Sequence, residues 1–172
     1  MSRVPPLERD GAPAEVQGLY DLIERLPAPP RLIGKVAAHS PGGLQLYAEL
    51  TRTMMSMTLD PRLRELAFVA TSRINRSAIC DGFHSSLGRR VGLTQEQLDH
   101  LGDPGQCAAY SELERLVIRY AQQLGREGTV DDALYATLAR HLSTRELVEL
   151  AVAVAAAHFT NRFCAALSLS VG

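Results

Sequence analysis

The feature that most constrains the fold is the stretch from Ser143 to about Leu169, which is rich in alanine and valine. It has no lysine or arginine between Arg145 and Arg162. Ser143 and Glu146 open it as a capping pair. Leu147, Val148, Leu150, Val152, Val154, Phe159, Phe163 and Leu167 fall on every face of the helix it would form. A helix apolar most of the way round is buried on most sides. In a chain of 172 residues it is either a central core helix or a subunit interface. Its most apolar run, Leu147 to Ala157, is interrupted by Glu149 and falls short of the ~20 residues that span a bilayer.

Helical spacing recurs along the rest of the chain. Val16, Leu19, Tyr20, Ile23 and Leu26 place a helix over Glu15–Leu26, stopped by Pro27, Pro29 and Pro30. A short helix from about Arg31 to His39 and another over Gly42–Met55 follow. Asp60-Pro61 starts the next, which runs to about Ile74. Asn75-Arg76-Ser77 offers capping side chains to a helix ending near Val91. Thr94 with Gln97, and Ser111 with Glu114, are capping boxes, the second opening a helix that ends at Gly125. A further helix covers about Asp131 to His141. No N-G or D-G turn sits between alternating apolar runs, so the expected fold class is all-α. Residues 1–14, with Pro5, Pro6 and Pro13, read as a flexible arm, and residues 15–172 as a single domain.

With 18 basic and 19 acidic side chains the net charge is −1, and no general field favours nucleic acid or an anionic membrane. No phosphate-binding glycine loop appears. Cys80, Cys107 and Cys164 are scattered, without metal-ligand spacing, which fits a reducing compartment. The N-terminal MSRVPPLERDGAP lacks the apolar core of a secretory signal. The expectation is a soluble, cytoplasmic protein with no membrane, nucleic-acid, metal or cofactor partner.

Chemistry concentrates between Arg64 and Gly92. Cys80 and His84 are four apart and stack on one helical face, with Ser77 one turn before Cys80 on roughly the same face. Cys80 lies in the first turn of its helix, where backbone N–H groups and the macrodipole favour a thiolate. Against this stands the reading of a buried, inert thiol used as a small hydrophobe. His84 is a base for that thiol or a hydrogen-bonded core imidazole. Glu65, on the preceding helix, is a surface acid paired with Arg62 or Arg64, or a group that orients His84. Ser77 caps the helix, or donates a hydrogen bond to a Cys80 thiolate or a bound substrate. His158, Asn161 and Arg162, on the long apolar helix, line a pocket or bridge helices, with bridging favoured. Cys107 and Cys164 read as structural.

The same stretch resembles the carboxymuconolactone decarboxylase and alkylhydroperoxidase D superfamily. Its mark is a Glu, then C-x-x-C, then a His four residues after the second Cys. Glu65, Cys80 and His84 fall at the Glu, the second Cys and the His. Asn75 and the Gly92-Leu93-Thr94 ending also fit. The departure is Ser77, where redox-active members carry their first Cys. The decarboxylases proper tend to lack the dithiol and carry a Glu near the position of Cys80. Looser similarity runs from about Val36 to the C-terminus.

The resemblance implies an AhpD-like helical bundle that works without a cofactor. It gives Cys80, His84 and Glu65 as catalytic residues; Ser77, the departure, is read from its own chemistry as substrate-binding or supporting. The function expected first is a peroxidase-like oxidoreductase that reduces a hydroperoxide through Cys80 and is regenerated by an external thiol. The alternative is a decarboxylase-type acid–base enzyme acting on a small carboxylic acid or lactone, with His84 and Glu65 moving protons. A third reading is a non-catalytic binding or assembly module. Family members assemble through their helices, so a homo-oligomer, a trimer or hexamer, is expected; the Met54, Met55 and Met57 cluster adds a second adaptable apolar patch.

Overall fold

The computed structural model describes residues 2–26 and 28–170, which contain helices and turns and no strand. The fold is all-α. Among the described residues the α-helices are α1 (Tyr20–Arg25), α2 (Ala28–Ala37), α3 (Pro41–Ser56), α4 (Pro61–Ile74), α5 (Ala78–Arg90), α6 (Gln95–Asp99), α7 (Glu112–Glu127), α8 (Asp132–Leu138) and α9 (Thr144–Ala166). The chain divides into two compact units, Met1–Met57 with Phe163–Gly172, and Thr58–Arg162. Among the described residues, one apolar cluster lies within the larger unit and another within the smaller.

In the larger unit the helix enclosed on all sides is α4. Every residue from Glu65 to Ser72 is buried. α4 packs on both α5 and α7, and Leu66, Val69 and Ala70 join Val117, Ile118, Leu150 and Val154 in one cluster. Each such side chain contributes about 1.5–3 kcal/mol when fully buried. The polar residues of α4 are tolerated because each has a partner. Thr71 Oγ1 donates to the Ala67 carbonyl at 2.8 Å, and Ser72 Oγ accepts from Asn161 Nδ2 at 3.2 Å. Arg62 reaches Glu114 Oε1 at 2.5 Å and Gln97 Oε1 at 2.9 Å. Gln97 and Glu114 are also the capping-box residues of α6 and α7, so one arginine ties the starts of three helices together.

The apolar helix α9 is less enclosed than its composition suggests. Leu150, Ala153, Val154 and Ala157 are buried, while Val148 is 58% exposed and Ala155 is exposed too. Its 23 residues are long and apolar enough to cross a bilayer by length and composition, unlike the shorter Leu147–Ala157 run. Half of its most apolar stretch is nevertheless covered by the protein, as in a core helix.

Several boundaries differ from the sequence reading, three of them for a clear local reason; α8 and α9 each also end about a turn early. α7 continues past Gly125 to Glu127 and stops at Gly128, which takes the left-handed conformation (φ 75°). Gly125 is there for close packing: a Cβ on it would lie 3.3 Å from Ile74 and 3.5 Å from the His158 ring. Pro29 and Pro30 lie inside the first turn of α2, where a missing N–H costs nothing. Pro27, also read as a stop, is outside the described residues. The helix read over Glu15–Leu26 begins as a 3-10 turn, Ala14–Leu19, before α1.

The smaller unit packs Val16, Tyr20, Ile23 and Leu44 around Ala12 and Ala38. The segment read as a flexible arm is tied down: Leu7 N–H donates to the Lys35 carbonyl, Tyr20 Oη to the Leu7 carbonyl, and Arg3 to the Ala166 carbonyl.

Candidate active site

The turn from α4 into α5 sets the site. Arg76 adopts a left-handed conformation (φ 54°), and Ser77 N–H closes onto the Ser72 carbonyl at 2.9 Å. Asn75, read as a cap for α5, is used otherwise. It ends α4, and its Nδ2 donates to His158 Nδ1 at 2.9 Å and Asn161 Oδ1 at 3.0 Å. His158 and Asn161 thus bridge α9 to the end of α4, as favoured from sequence. Burial, with the Arg162 charge adding to it, pushes the His158 pKa below the ordinary imidazole range. The neutral ring accepts at Nδ1 and carries its proton on Nε2.

Ser77 occupies the N-cap position of α5, and its carbonyl accepts from Asp81 N–H. Its hydroxyl makes no capping bond, contrary to the favoured reading. The backbone at Ser77 has φ −94° and ψ 86°.

Cys80 is the third residue of α5 and is 5% exposed. The Asp81 carboxylate is engaged elsewhere, accepting from Ser85 Oγ at 2.9 Å and pairing with Arg73 at 3.3 Å. Its charge is therefore compensated beside the thiol.

One turn beyond Cys80, His84 meets Glu65. His84 Nδ1 lies 2.7 Å from Glu65 Oε2, with the carboxylate side chain 3% and the imidazole 15% exposed. The other carboxylate oxygen accepts from Arg64 Nε at 3.1 Å. A carboxylate only accepts, so the His84 proton sits on Nδ1 and the lone pair on Nε2 is available as a base. The ring is held flat against Phe68, with centroids 4.0 Å apart and planes at 15°, and edge-on to Phe83 at 5.0 Å. The two phenylalanines were not singled out from sequence. Phe68 lies three residues after Glu65 on α4, a spacing that places both on one face.

The structure therefore brings Glu65 and His84 together and keeps Cys80 and Ser77 at the opening of the same helix. Arg62, the other partner considered for Glu65, is committed to Glu114. Cys107 and Cys164 are both buried, and none of the three cysteines is in a disulfide. Among the described residues no three His, Cys, Asp or Glu side chains converge as metal ligands. Two clefts of about 450 and 270 Å³ share Gln122 and Arg126, and neither is lined by Glu65, Cys80 or His84.

Residues 41–123, which contain Glu65, Ser77, Cys80 and His84, match the carboxymuconolactone decarboxylase family. A candidate AhpD-type antioxidant defence protein of unknown function from Agrobacterium tumefaciens is 25% identical, with a TM-score of 0.73 over 79% of this chain and 94% of that one. Residues 41–123 belong to the carboxymuconolactone decarboxylase family, and the fold around them is AhpD-like.

Two further solved structures share the superfamily's helical fold. The AhpD core of an uncharacterized peroxidase-related protein from Ralstonia eutropha JMP134 has a TM-score of 0.80 at 19% identity, covering 99% and 92% of the two chains. The debrominase Bmp8, solved with 2,3,4-tribromopyrrole, has a TM-score of 0.76 at 20% identity, covering 100% and 92%. At these identities the likeness is one of fold.

Proposed function

We propose that this chain is a cofactor-free, thiol-dependent peroxidase of the alkylhydroperoxidase type, acting on small organic hydroperoxides through Cys80. The observation that carries the reading is the 2.7 Å bond from a buried carboxylate on α4 to His84, with the thiol one turn before that histidine in the first turn of α5. Glu65 fixes the tautomer and orientation of His84, and His84 takes the Cys80 proton. The thiolate then attacks the terminal oxygen of ROOH. An S–O bond forms, the O–O bond breaks, and the RO⁻ leaving group takes a proton from the His84 imidazolium. Sulfur is oxidised by two electrons to the sulfenic acid, and the hydroperoxide is reduced to an alcohol. With Ser77 where the dithiol members carry their first Cys, an external thiol condenses with the sulfenic acid and releases water. A second equivalent then reduces the mixed disulfide.

Stopped-flow oxidation of Cys80 by a small alkyl hydroperoxide tests this. The expected rate exceeds that of free cysteine at the same pH by about 10²-fold or more, as for an activated, oriented thiolate. A rate no faster than free cysteine contradicts the proposal.

The same reading includes self-assembly as a trimer or hexamer. Val148, Val152 and Ala155 repeat at four and three residues along α9, and none of them is buried. Leu46 and Met55 are 56% and 74% exposed on α3. Apolar helical surfaces of this kind suit a second copy of the chain. Sedimentation at micromolar protein should give a species several times 18.7 kDa. A compact monomer overturns this part of the proposal.

A further inference from the structure

We propose that Ser77, at the position where dithiol relatives place a cysteine, is an oxygen-binding residue that holds the oxygen transferred to Cys80. This rests on the thiol reading above.

Ser77 is 8% exposed. Its hydroxyl neither caps α5 nor bonds to any other described residue. Among the described residues no side-chain oxygen is both sealed from solvent and unpaired. The Ser77 hydroxyl therefore keeps an edge open although the residue around it is buried. That edge is near Cys80, because an N-cap residue and the third helical residue share one face. The N–H groups of Ala78 and Ile79 find no carbonyl or side-chain acceptor among the described residues. At most helix starts the N-cap side chain occupies one such donor. Here both donors and the hydroxyl are left for a ligand.

The ligand class is a small oxygen species beside the sulfur, and three donors suit an oxygen that must be held in line for attack. In the step described above, the terminal peroxide oxygen passes to sulfur while the other leaves with the His84 proton. Ser77 and the α5 amino end lie on the N-terminal side of Cys80, and His84 lies on the C-terminal side. The two groups therefore take the two oxygens of one peroxide. A cysteine at position 77 serves the disulfide; a serine cannot be oxidised and donates a stronger hydrogen bond. The site departs from the dithiol pattern by exchanging internal regeneration for a fixed oxygen donor.

The test compares the native protein with Ser77→Ala and Ser77→Thr in two reactions of Cys80: oxidation by tert-butyl hydroperoxide and alkylation by iodoacetamide, which carries no oxygen to sulfur. Ser77→Ala should slow oxidation by about 10- to 100-fold, in the range for losing one donor, while alkylation changes less than about twofold. Ser77→Thr keeps a hydroxyl and should restore oxidation to within a few-fold. Oxidation unchanged in Ser77→Ala, or oxidation and alkylation falling together, overturns the assignment. If the native protein reacts no faster than free cysteine, the thiol reading itself fails, and that result is seen without any variant.

Discussion

Cys80→Ser should lose hydroperoxide reduction by at least about 10³-fold, the scale expected when a nucleophile is removed. Serine is close to cysteine in shape, and Cys80 is buried in the first turn of α5 without a disulfide, so the fold should survive. The chemistry should not. A hydroxyl oxygen cannot accept the peroxide oxygen and later release it as water on reaction with a thiol, as sulfur does through the sulfenic acid. Cys107 and Cys164 remain in the variant, both buried, and should supply only slow background oxidation. The measurement is consumption of an alkyl hydroperoxide with a dithiol reductant present, with circular dichroism to confirm folding. The variant also separates the two enzymatic readings. Activity on a small acidic substrate that survives Cys80→Ser favours proton transfer by His84 and Glu65, and full retention of peroxide turnover contradicts thiol chemistry.

Glu65→Gln is the second large effect. The amide matches the carboxylate in size but brings a donor, where Glu65 accepts from both Arg64 Nε and His84 Nδ1. With the amide NH2 turned to His84, the ring must accept at Nδ1, which moves its proton to Nε2 and removes the base. With the amide oxygen turned to His84, the NH2 meets the Arg64 guanidinium, a donor against a donor. The second arrangement leaves a buried polar group badly paired and the first gives up the negative charge facing Arg64, so stability should fall by about 1–3 kcal/mol. The oxidation rate of Cys80 should fall by about 10²- to 10³-fold, somewhat less than the loss seen when a serine-protease aspartate is made neutral. Stopped-flow oxidation and urea denaturation read the two effects separately. A Glu65→Gln protein that oxidises at the native rate would show that the carboxylate does not orient the base.

What could be read in the sequence and what could not follows from the range of each signal. Capping is local, so the boxes at Thr94–Gln97 and Ser111–Glu114 and the Asp60-Pro61 start are where the residues place them. Burial is not local. The composition of α9 made it the candidate core helix, yet α4 is the one enclosed on all sides. α4 carries Arg62, Glu65, Thr71 and Ser72, and its enclosure depends on partners from other helices, namely Glu114, His84 and Asn161. No period in α4 alone encodes those partners. The Cys80–His84 spacing was visible because both lie on one helix. The Glu65–His84 contact joins two helices nineteen residues apart, so only the superfamily resemblance pointed to it. Ser77 misled because residue type and position are right for a cap, and neither encodes whether the hydroxyl bonds back to the first turn.

The central claim is that Cys80 is an activated thiol beside an oriented histidine. The most direct measurement is the pH dependence of its alkylation rate in the native protein, followed by mass spectrometry so that Cys107 and Cys164 are counted apart. The account predicts a midpoint well below the value of about 8.5 for an unperturbed thiol, moving back towards it in Glu65→Gln. A native midpoint at or above about 8.5 would contradict it.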